Sequence, residues 1–357
     1  MQNLILFDQE TQHYRVSVYK YFAAEFEKLG YRLRVVYDRD LNTLADEMFE
    51  GIEYSFSSFN NIISKYNSTV IILFVWLRYK FLLPFMLLNR LRGIRMISWF
   101  HGINLQKKNQ PLVNQLYYLR QRLANALVLF SEQEKRYIRA SHDKLFIANN
   151  TLNFHDFPAI PESKAALKAR YHLENKHVIL SVSRFDTHGR KVDYLIAAAE
   201  GLRDDHHFLV VGSGVSEMQQ AKIKALPNIS YLGRIVDRVK INEIYKLSDV
   251  FCMPGPIGLA INHAFYHALP VVIEDVTHGP EGGYLKPGCN GDLFNKGDVS
   301  DMIEKIERLM SDEKLYQQYA SQARSTVEQE ASIEKMWQGF KGALDYVNGN
   351  DRNNGNY

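Results

Sequence analysis

The sequence predicts an α/β protein of two successive doubly wound, Rossmann-like domains, and three observations carry that reading. Short apolar runs with the character of buried strands alternate with longer helical patterns. The alternation breaks at residues 153–162 and then restarts. With 46% hydrophobic and 12% aromatic residues, the 357-residue chain has core enough for about two domains.

The elements follow in order. Leu4 to Phe7, Arg34 to Tyr37, Val70 to Trp76 and Arg95 to Phe100 read as strands, and Tyr14 to Leu29 reads as a helix between the first two. The most apolar stretch, Thr69 to Asn89, is a buried strand running into a helix. It is not a membrane span, because Arg78 and Lys80 lie at its middle and Pro84 follows. Ala124 to Phe130 is a strand, Glu132 to Ala140 a helix and Lys144 to Ala148 a closing strand. Asn153 to Glu162, with two prolines and no periodicity, is a linker. Strands resume at Val178 to Val182, Phe208 to Val211, Ile229 to Leu232, Val250 to Met253 and Val271 to Glu274. Helices lie between them at Asp193 to Leu202, Ile241 to Leu247 and about Leu259 to Ala268. After Asp298 the pattern is helical over Met302 to Met310, Glu313 to Thr326 and Ile333 to Val347. The domains expected are 1–155 and 156–330, with a helix at about 331–347 returning to the first and a disordered polar tail at 348–357.

Composition excludes several classes. Two cysteines, Cys252 and Cys289, make no disulfide scaffold and suit a reducing compartment. The N-terminus lacks the basic start and long apolar run of a secretory signal, so a cytoplasmic location is expected. The net charge of +3 divides into +7 for residues 1–155 and −4 for the rest. Between Glu53 and Glu132 no acidic residue occurs, while Lys65, Arg78, Lys80, Arg90, Arg92, Arg95, Lys107, Lys108, Arg120 and Arg122 do. An anionic partner is implied. Zinc spacings and RNA-binding aromatic motifs are missing, and Leu, Phe and Trp are interleaved, so no nucleic acid is expected. An anionic membrane surface fits better, with Phe81, Leu82, Phe85 and Leu88 among the basic residues 78–95.

Four motifs bear on chemistry. Gly212 and Gly214 follow a strand, but Glu217 stands where a dinucleotide fingerprint has its third glycine, so a tight turn is the better reading. Asp38-Arg-Asp40 matches a metal-holding carboxylate pair over two residues only; it reads as an exposed turn, and no metal is expected. Residues 179–196 run from strand through Arg184 to Arg190 and Lys191 at a helix start. Forked donors, a point charge and a helix N-terminus are what a diphosphate requires. In residues 250–274 a strand ends in Pro254-Gly255-Pro256, and Gly258 opens a helix. That opening lets backbone amides approach a phosphate or sugar hydroxyl.

The order SVSRF…GRKVDYLI, HFLVVGSG, NISYLGRI, YKLSDVFCMPGPIGLAINHAF, ALPVV and HGPE…GCNGDLF resembles the retaining, nucleotide-sugar-dependent glycosyltransferases of GT-B architecture. The resemblance is strong over about 150–300 and weaker before it, where ISWFHG, ANALVLFSEQEKRYI and IANNTLNF match usual waypoints. It implies two Rossmann-like domains facing each other across a cleft, an N-terminal acceptor domain and a C-terminal donor domain. The implied donor is a nucleotide-diphosphate sugar, with no cofactor or metal. The implied acceptor is a glycan or lipid-linked saccharide, in polysaccharide or glycoconjugate biosynthesis.

Carried over residue by residue, Arg184 with Arg190 or Lys191 clamps the diphosphate beside Gly258 and Leu259. Gly233, Arg234 and Ile235 lie beside the nucleobase, and the loop from Gly255 and Pro256 lies beside the sugar. His101 matches a histidine near the transferred sugar. His13, Tyr14 and Arg15 line the acceptor site. The family's paired glutamates fall here on Gly255 and His263, so Glu281 is the expected replacement at the sugar, and Asn262 or His263 at the ribose. That departure keeps two alternatives open: an inactive nucleotide-sugar- or glycan-binding relative, and a nucleotide-sugar epimerase of the same architecture.

Overall fold

The computed structural model describes residues 1–41, 44, 46–105, 110–186, 189–202 and 205–349. The chain divides into two units, one of Met1–Asn153 with the residues from Ile333 onward, the other of Phe154–Ser332. The expected tail lies largely outside the described residues, as do Lys107 and Lys108 of the basic segment.

The first unit runs β1 (Gln2–Asp8), α1 (His13–Lys28), β2 (Tyr31–Asp38), β3 (Phe49–Ile52), α2 (Phe56–Tyr66), β4 (Val70–Phe74), α3 (Leu82–Leu91), β5 (Arg95–Trp99), α4 (Pro111–Leu123), β6 (Ala126–Leu129) and β7 (Leu145–Ile147). Its strands form one sheet, β3-β2-β1-β4-β5-β6-β7, with every pair parallel. The central strands are fully buried, which is why they read as unbroken apolar runs. Helix α2 is set locally, with Ser55 Oγ accepting from Ser58 N–H and Asn67 closing the far end at φ 46°.

The second unit runs α5 (Lys164–Arg170), β8 (His177–Arg184), α6 (Val192–Gly201), β9 (His206–Ser213), α7 (Glu217–Lys224), β10 (Ile229–Tyr231), α8 (Arg238–Leu247), β11 (Val250–Met253), α9 (Ala260–Tyr266), β12 (Val271–Glu274), β13 (Gly291–Phe294), α10 (Val299–Ser311) and α11 (Glu313–Gln329). Its sheet is ordered β10-β9-β8-β11-β12-β13, again all parallel. Helix α12 (Ile333–Asn348) then packs Met336, Trp337 and Phe340 into the first unit's core, with Phe22, Phe26 and Trp99. Both sheets reverse strand order once, between β1 and β4 and between β8 and β11. The crevice beyond the carboxyl ends of such strands is where this architecture binds ligands.

Three sequence expectations are corrected. Residues 132–140 are not an α-helix: Glu132–Tyr137 winds as a tighter 3₁₀ turn, because Glu134 turns inward to bond the Phe130 amide. Asp38 is not in an exposed turn but buried at the end of β2, where it accepts a 2.6 Å bond from the Tyr79 hydroxyl. Leu82 and Phe85 are fully buried core residues, and the Arg95 guanidinium is bonded to Thr69 and Asn348. These three side chains therefore do not form the outward basic and apolar face expected of them.

Candidate functional site

The second unit gathers three loops at the carboxyl ends of β8, β9 and β11. They are held together by glycines. A Cβ on Gly212 would lie 1.7 Å from the Ser183 carbonyl, and one on Gly255 would lie 2.2 Å from the Gly189 carbonyl. Gly255 also sits at φ 128°, where side chains are strained. Gly212 therefore lets β9 close on β8, and Gly255 serves backbone approach between loops.

Arg184 ends β8 and is exposed, and Arg190 returns to it. Arg190 Nη1 donates to the Arg184 carbonyl and Nε to the Pro256 carbonyl, each at 3.3 Å. Its Nη2 is 3.9 Å from where a Cβ on Gly258 would stand. Burial, then the Arg184 charge, lowers the Arg190 guanidinium below its ordinary value, with Asp186 opposing. A like charge near enough to be felt disfavours the cation and favours an incoming anion.

Lys191 is placed differently. Its N–H donates to the Pro254 carbonyl at 2.9 Å, while its ammonium is paired with the fully buried Glu274. Burial alone would lower that ammonium, but its bonds to Glu274 and Tyr194 raise it. Of the two residues expected as second clamp member, Arg190 is bonded to the Arg184 backbone and Lys191 is ion-paired with Glu274.

Glu281 lies in the 3₁₀ turn Pro280–Tyr284, 7% exposed. A Cβ on Gly279 would be 2.9 Å from its Oε2 and 3.7 Å from the Ile257 carbonyl, which places this turn against the 255–258 loop. His278 Nδ1 accepts from the Ile257 N–H at 3.2 Å, a contact that sequence reasoning missed. Gly233, at φ 66°, accepts from Gly212 N–H, Arg234 is exposed and Ile235 leans on the core. Leu259 stands immediately before α9.

Two residues expected at the ribose are turned inward. Asn262 is fully buried and bonded to the Tyr284 side chain. His263 stacks on Tyr245 at 3.7 Å between centroids, meets Phe157 at 4.7 Å, and donates from Nε2 to Asn242 at 3.2 Å. Burial, then neighbouring His267, holds its ring well below the ordinary histidine value. Asn262 is thus enclosed, while His263 packs on aromatic rings and stays part-exposed.

In the first unit a cavity of about 390 Å³ opens beyond β4 and β5. His101 sits in its wall, its ring stacked on Phe130 at 4.4 Å and its Nδ1 donating to Glu134 at 2.5 Å. The other Glu134 oxygen accepts from Phe130 N–H at 2.8 Å, so the buried carboxylate orients the His101 ring through Nδ1. Nothing local flags Glu134, because its partner is 33 residues away. His13 and Tyr14 open α1 and are exposed. Arg15, expected beside them, is 5% exposed and stacked on Trp99 at 4.6 Å and Phe74 at 4.8 Å, so it is an internal residue.

Among the described residues no group of three potential ligands could hold a metal ion, and no helix is long and apolar enough to cross a membrane.

Residues 176–312 match the family model for glycosyl transferases group 1. A Haemophilus influenzae protein described as an uncharacterized glycosyltransferase is 26% identical over 267 residues, 71% of this chain and 70% of its own. A poly(ribitol-phosphate) alpha-N-acetylglucosaminyltransferase of Staphylococcus aureus is 24% identical over 221 residues, 59% of this chain and 42% of its own. The crystal structure of Anabaena HepE in complex with UDP has the same fold, at TM-score 0.77 and 16% identity, covering 97% of this chain and 100% of that one.

Proposed function

On the premise that this chain is one of the group 1 glycosyltransferases, where its family match, its relatives and its two α/β units place it, we propose a specific reaction. The protein moves a sugar, with retention and without a metal, from a nucleotide-diphosphate sugar to a glycan or lipid-linked saccharide in polysaccharide or glycoconjugate assembly. One observation carries this reading: Arg184 and Arg190 stand together at the switch point of the second sheet, while the neighbouring Lys191 is already paired with Glu274.

The chemistry follows from where charge develops. As the bond from the anomeric carbon to the phosphate breaks, electrons go to the diphosphate, and two guanidiniums stabilise that leaving group. The acceptor hydroxyl attacks from the face the diphosphate leaves, and its proton passes to a phosphate oxygen, so no protein nucleophile is needed. That suits a site with Gly255 where the family carries a glutamate. Glu281 and the 255–258 backbone meet the sugar, residues 233–235 meet the base, and His101 lies near the transferred sugar.

The UDP of the HepE complex makes uridine the first nucleotide to try. Thermal stabilisation by UDP, GDP, CDP and ADP without metal, in the wild type and in Arg184→Ala and Arg190→Ala, tests the donor site. One nucleotide should shift the melting point and both variants should abolish the shift; no shift with any nucleotide defeats the reading. Product anomer analysis tests retention, and turnover in a chelator tests the absence of a metal. A non-catalytic relative is the second reading, favoured by Gly255 and His263 where the family carries its paired glutamates, and donor binding without transfer to any acceptor would select it.

The same reading includes docking on an anionic membrane, through a face the sequence did not identify. Leu112, Leu116 and Leu119 stand 85, 49 and 43% exposed at helical spacing on α4, and Leu87 and Leu91 stand 52 and 79% exposed on α3. Arg90, Arg92 and Arg122 are exposed on the same two helices or their ends. Apolar side chains rimmed by basic ones suit a bilayer interface. Leu112→Glu with Leu116→Glu should abolish co-sedimentation with phosphatidylglycerol vesicles; unchanged binding would remove this face from consideration.

A further inference from the structure

Among the described residues of the first unit, one buried charge meets no opposite charge. Arg120 is 1% exposed, yet it has no carboxylate partner among the described residues. Its Nε donates to Ser98 Oγ at 2.7 Å, Nη1 to the Val75 carbonyl at 2.6 Å and Nη2 to the Leu73 carbonyl at 2.9 Å, and its plane lies 4.6 Å from the Phe100 ring centroid. These bonds use three of its five N–H groups and bring no negative charge. Burial accordingly lowers the guanidinium to about 10. Buried ions are ordinarily paired, because desolvation otherwise costs several kcal/mol.

Arg120 forms part of the wall of the 390 Å³ cavity that holds His101. The same wall carries Arg78, which is exposed and stands 5.0 Å from the Trp76 ring centroid. Trp76, Phe74 and Tyr117 give it aromatic faces, with the buried Trp99 behind them, and no acidic residue lines it among those described. Aromatic faces suit the C–H surface of a sugar ring, and two guanidiniums without a carboxylate suit an oxyanion.

We propose that this cavity is the acceptor subsite and that it takes a saccharide bearing an anionic group, phosphate or carboxylate, whose charge is met by Arg120 and Arg78. The proposal rests on the glycosyl-transfer reading and narrows it to acidic acceptors. The compensating anion arrives with the substrate, so the unpaired guanidinium selects against neutral sugars.

Trp76 and Trp99 supply the readout, because a guest in the cavity changes their fluorescence. The full chain is titrated with glucose 6-phosphate, glucuronate and glucose at low and high salt, and the donor site is followed separately by the shift in melting point with UDP. One acidic sugar at least should bind tenfold or more tightly than glucose and weaken with salt. The tighter of the two identifies phosphate or carboxylate. Arg78→Gln, on the surface, should weaken it about tenfold and leave the UDP response intact. Arg120→Lys keeps the charge and loses the fork, and should weaken it further; if that variant does not fold, Arg78→Gln and Trp76→Ala decide. Equal binding of glucose, or acidic-sugar binding indifferent to Arg78→Gln, overturns the proposal. UDP binding without acidic-sugar binding overturns it and spares the transferase reading, whereas acidic-sugar binding without UDP leaves the cavity's specificity standing and removes the transferase.

Discussion

Adjacent basic residues in this chain have opposite fates, and the reason is which neighbour each meets. Arg190 faces Arg184, whereas Lys191 faces a buried carboxylate. Lys191→Ala should cost about 1–3 kcal/mol, since it leaves Glu274 buried without a cation, the larger end being reduced by the ammonium's partial exposure. Arg190→Ala should change stability by less than about 0.5 kcal/mol while removing nucleotide stabilisation. Melting curves of the two variants with and without nucleotide check this. If Lys191→Ala keeps its stability but loses nucleotide binding, the lysine is the clamp after all. The same scale applies to His101. Glu134→Ala strands the Phe130 amide, for about 1–3 kcal/mol, and frees the imidazole, so transfer should fall further than stability alone explains. Glu134→Gln, which keeps an acceptor for the amide, should recover the stability first.

At the scale of elements, the donor loops and the helix behind them make separate predictions. Gly255→Ala should force the β11–α9 loop off the Gly189–Arg190 backbone, costing about 1–3 kcal/mol and weakening nucleotide binding together. Helix α9 carries His263 and is capped by His267, whose Nε2 atoms share the Asn242 oxygen. Burial, then Arg324 and Lys246, holds His267 down at about 3. A base whose folded value lies below its unfolded value contributes stability above about pH 6.5 that is lost as the pH falls. Stability should therefore decline below about pH 6.5, by up to about 1.4 kcal/mol per pH unit for each such histidine. His267→Gln should flatten that decline in urea titrations run between pH 7 and 4. Most elements were legible in the sequence because parallel, doubly buried strands leave unbroken apolar runs. The edge strands β3 and β13 were not: FEGI and GDLF are four residues each and include glycine. The 3₁₀ turn at 132–137 was missed because a side chain's long-range bond sets its pitch. The ribose expectation for Asn262 and His263 comes from the family's glutamate positions, and sequence does not give which side of α9 meets Tyr245 and Tyr284.

For the whole molecule, the consequential feature is that the chain leaves the first unit at Asn153 and returns to it at Ile333. The C-terminal periodicity announced a helix, and the resemblance to a known architecture supplied the expectation of its return. The packing gives the reason for it. Met336, Trp337, Phe340 and Leu344 are 6% exposed or less, against Phe22, Phe26 and Trp99. At roughly 1.5–3 kcal/mol for each buried side chain, these four contribute about 6–12 kcal/mol. A domain's entire net stability is about 5–15 kcal/mol. The first unit therefore should not survive without its last helix, although its seven-stranded sheet lies wholly upstream. A chain ending at Ser332 should be insoluble or bind a hydrophobic dye strongly, while one ending at Gly349 should melt with the full-length protein. Gly339→Val offers a gentler version, because a Cβ there would stand 2.2 Å from the Ile147 carbonyl and lift the helix off β7. It should lower the melting point and raise hydrogen exchange at β6 and β7, in the unit that holds the His101 cavity. If the Ser332-terminated chain folds and melts normally, the helix is an accessory, and the order in which this chain can fold is simpler than its connectivity implies.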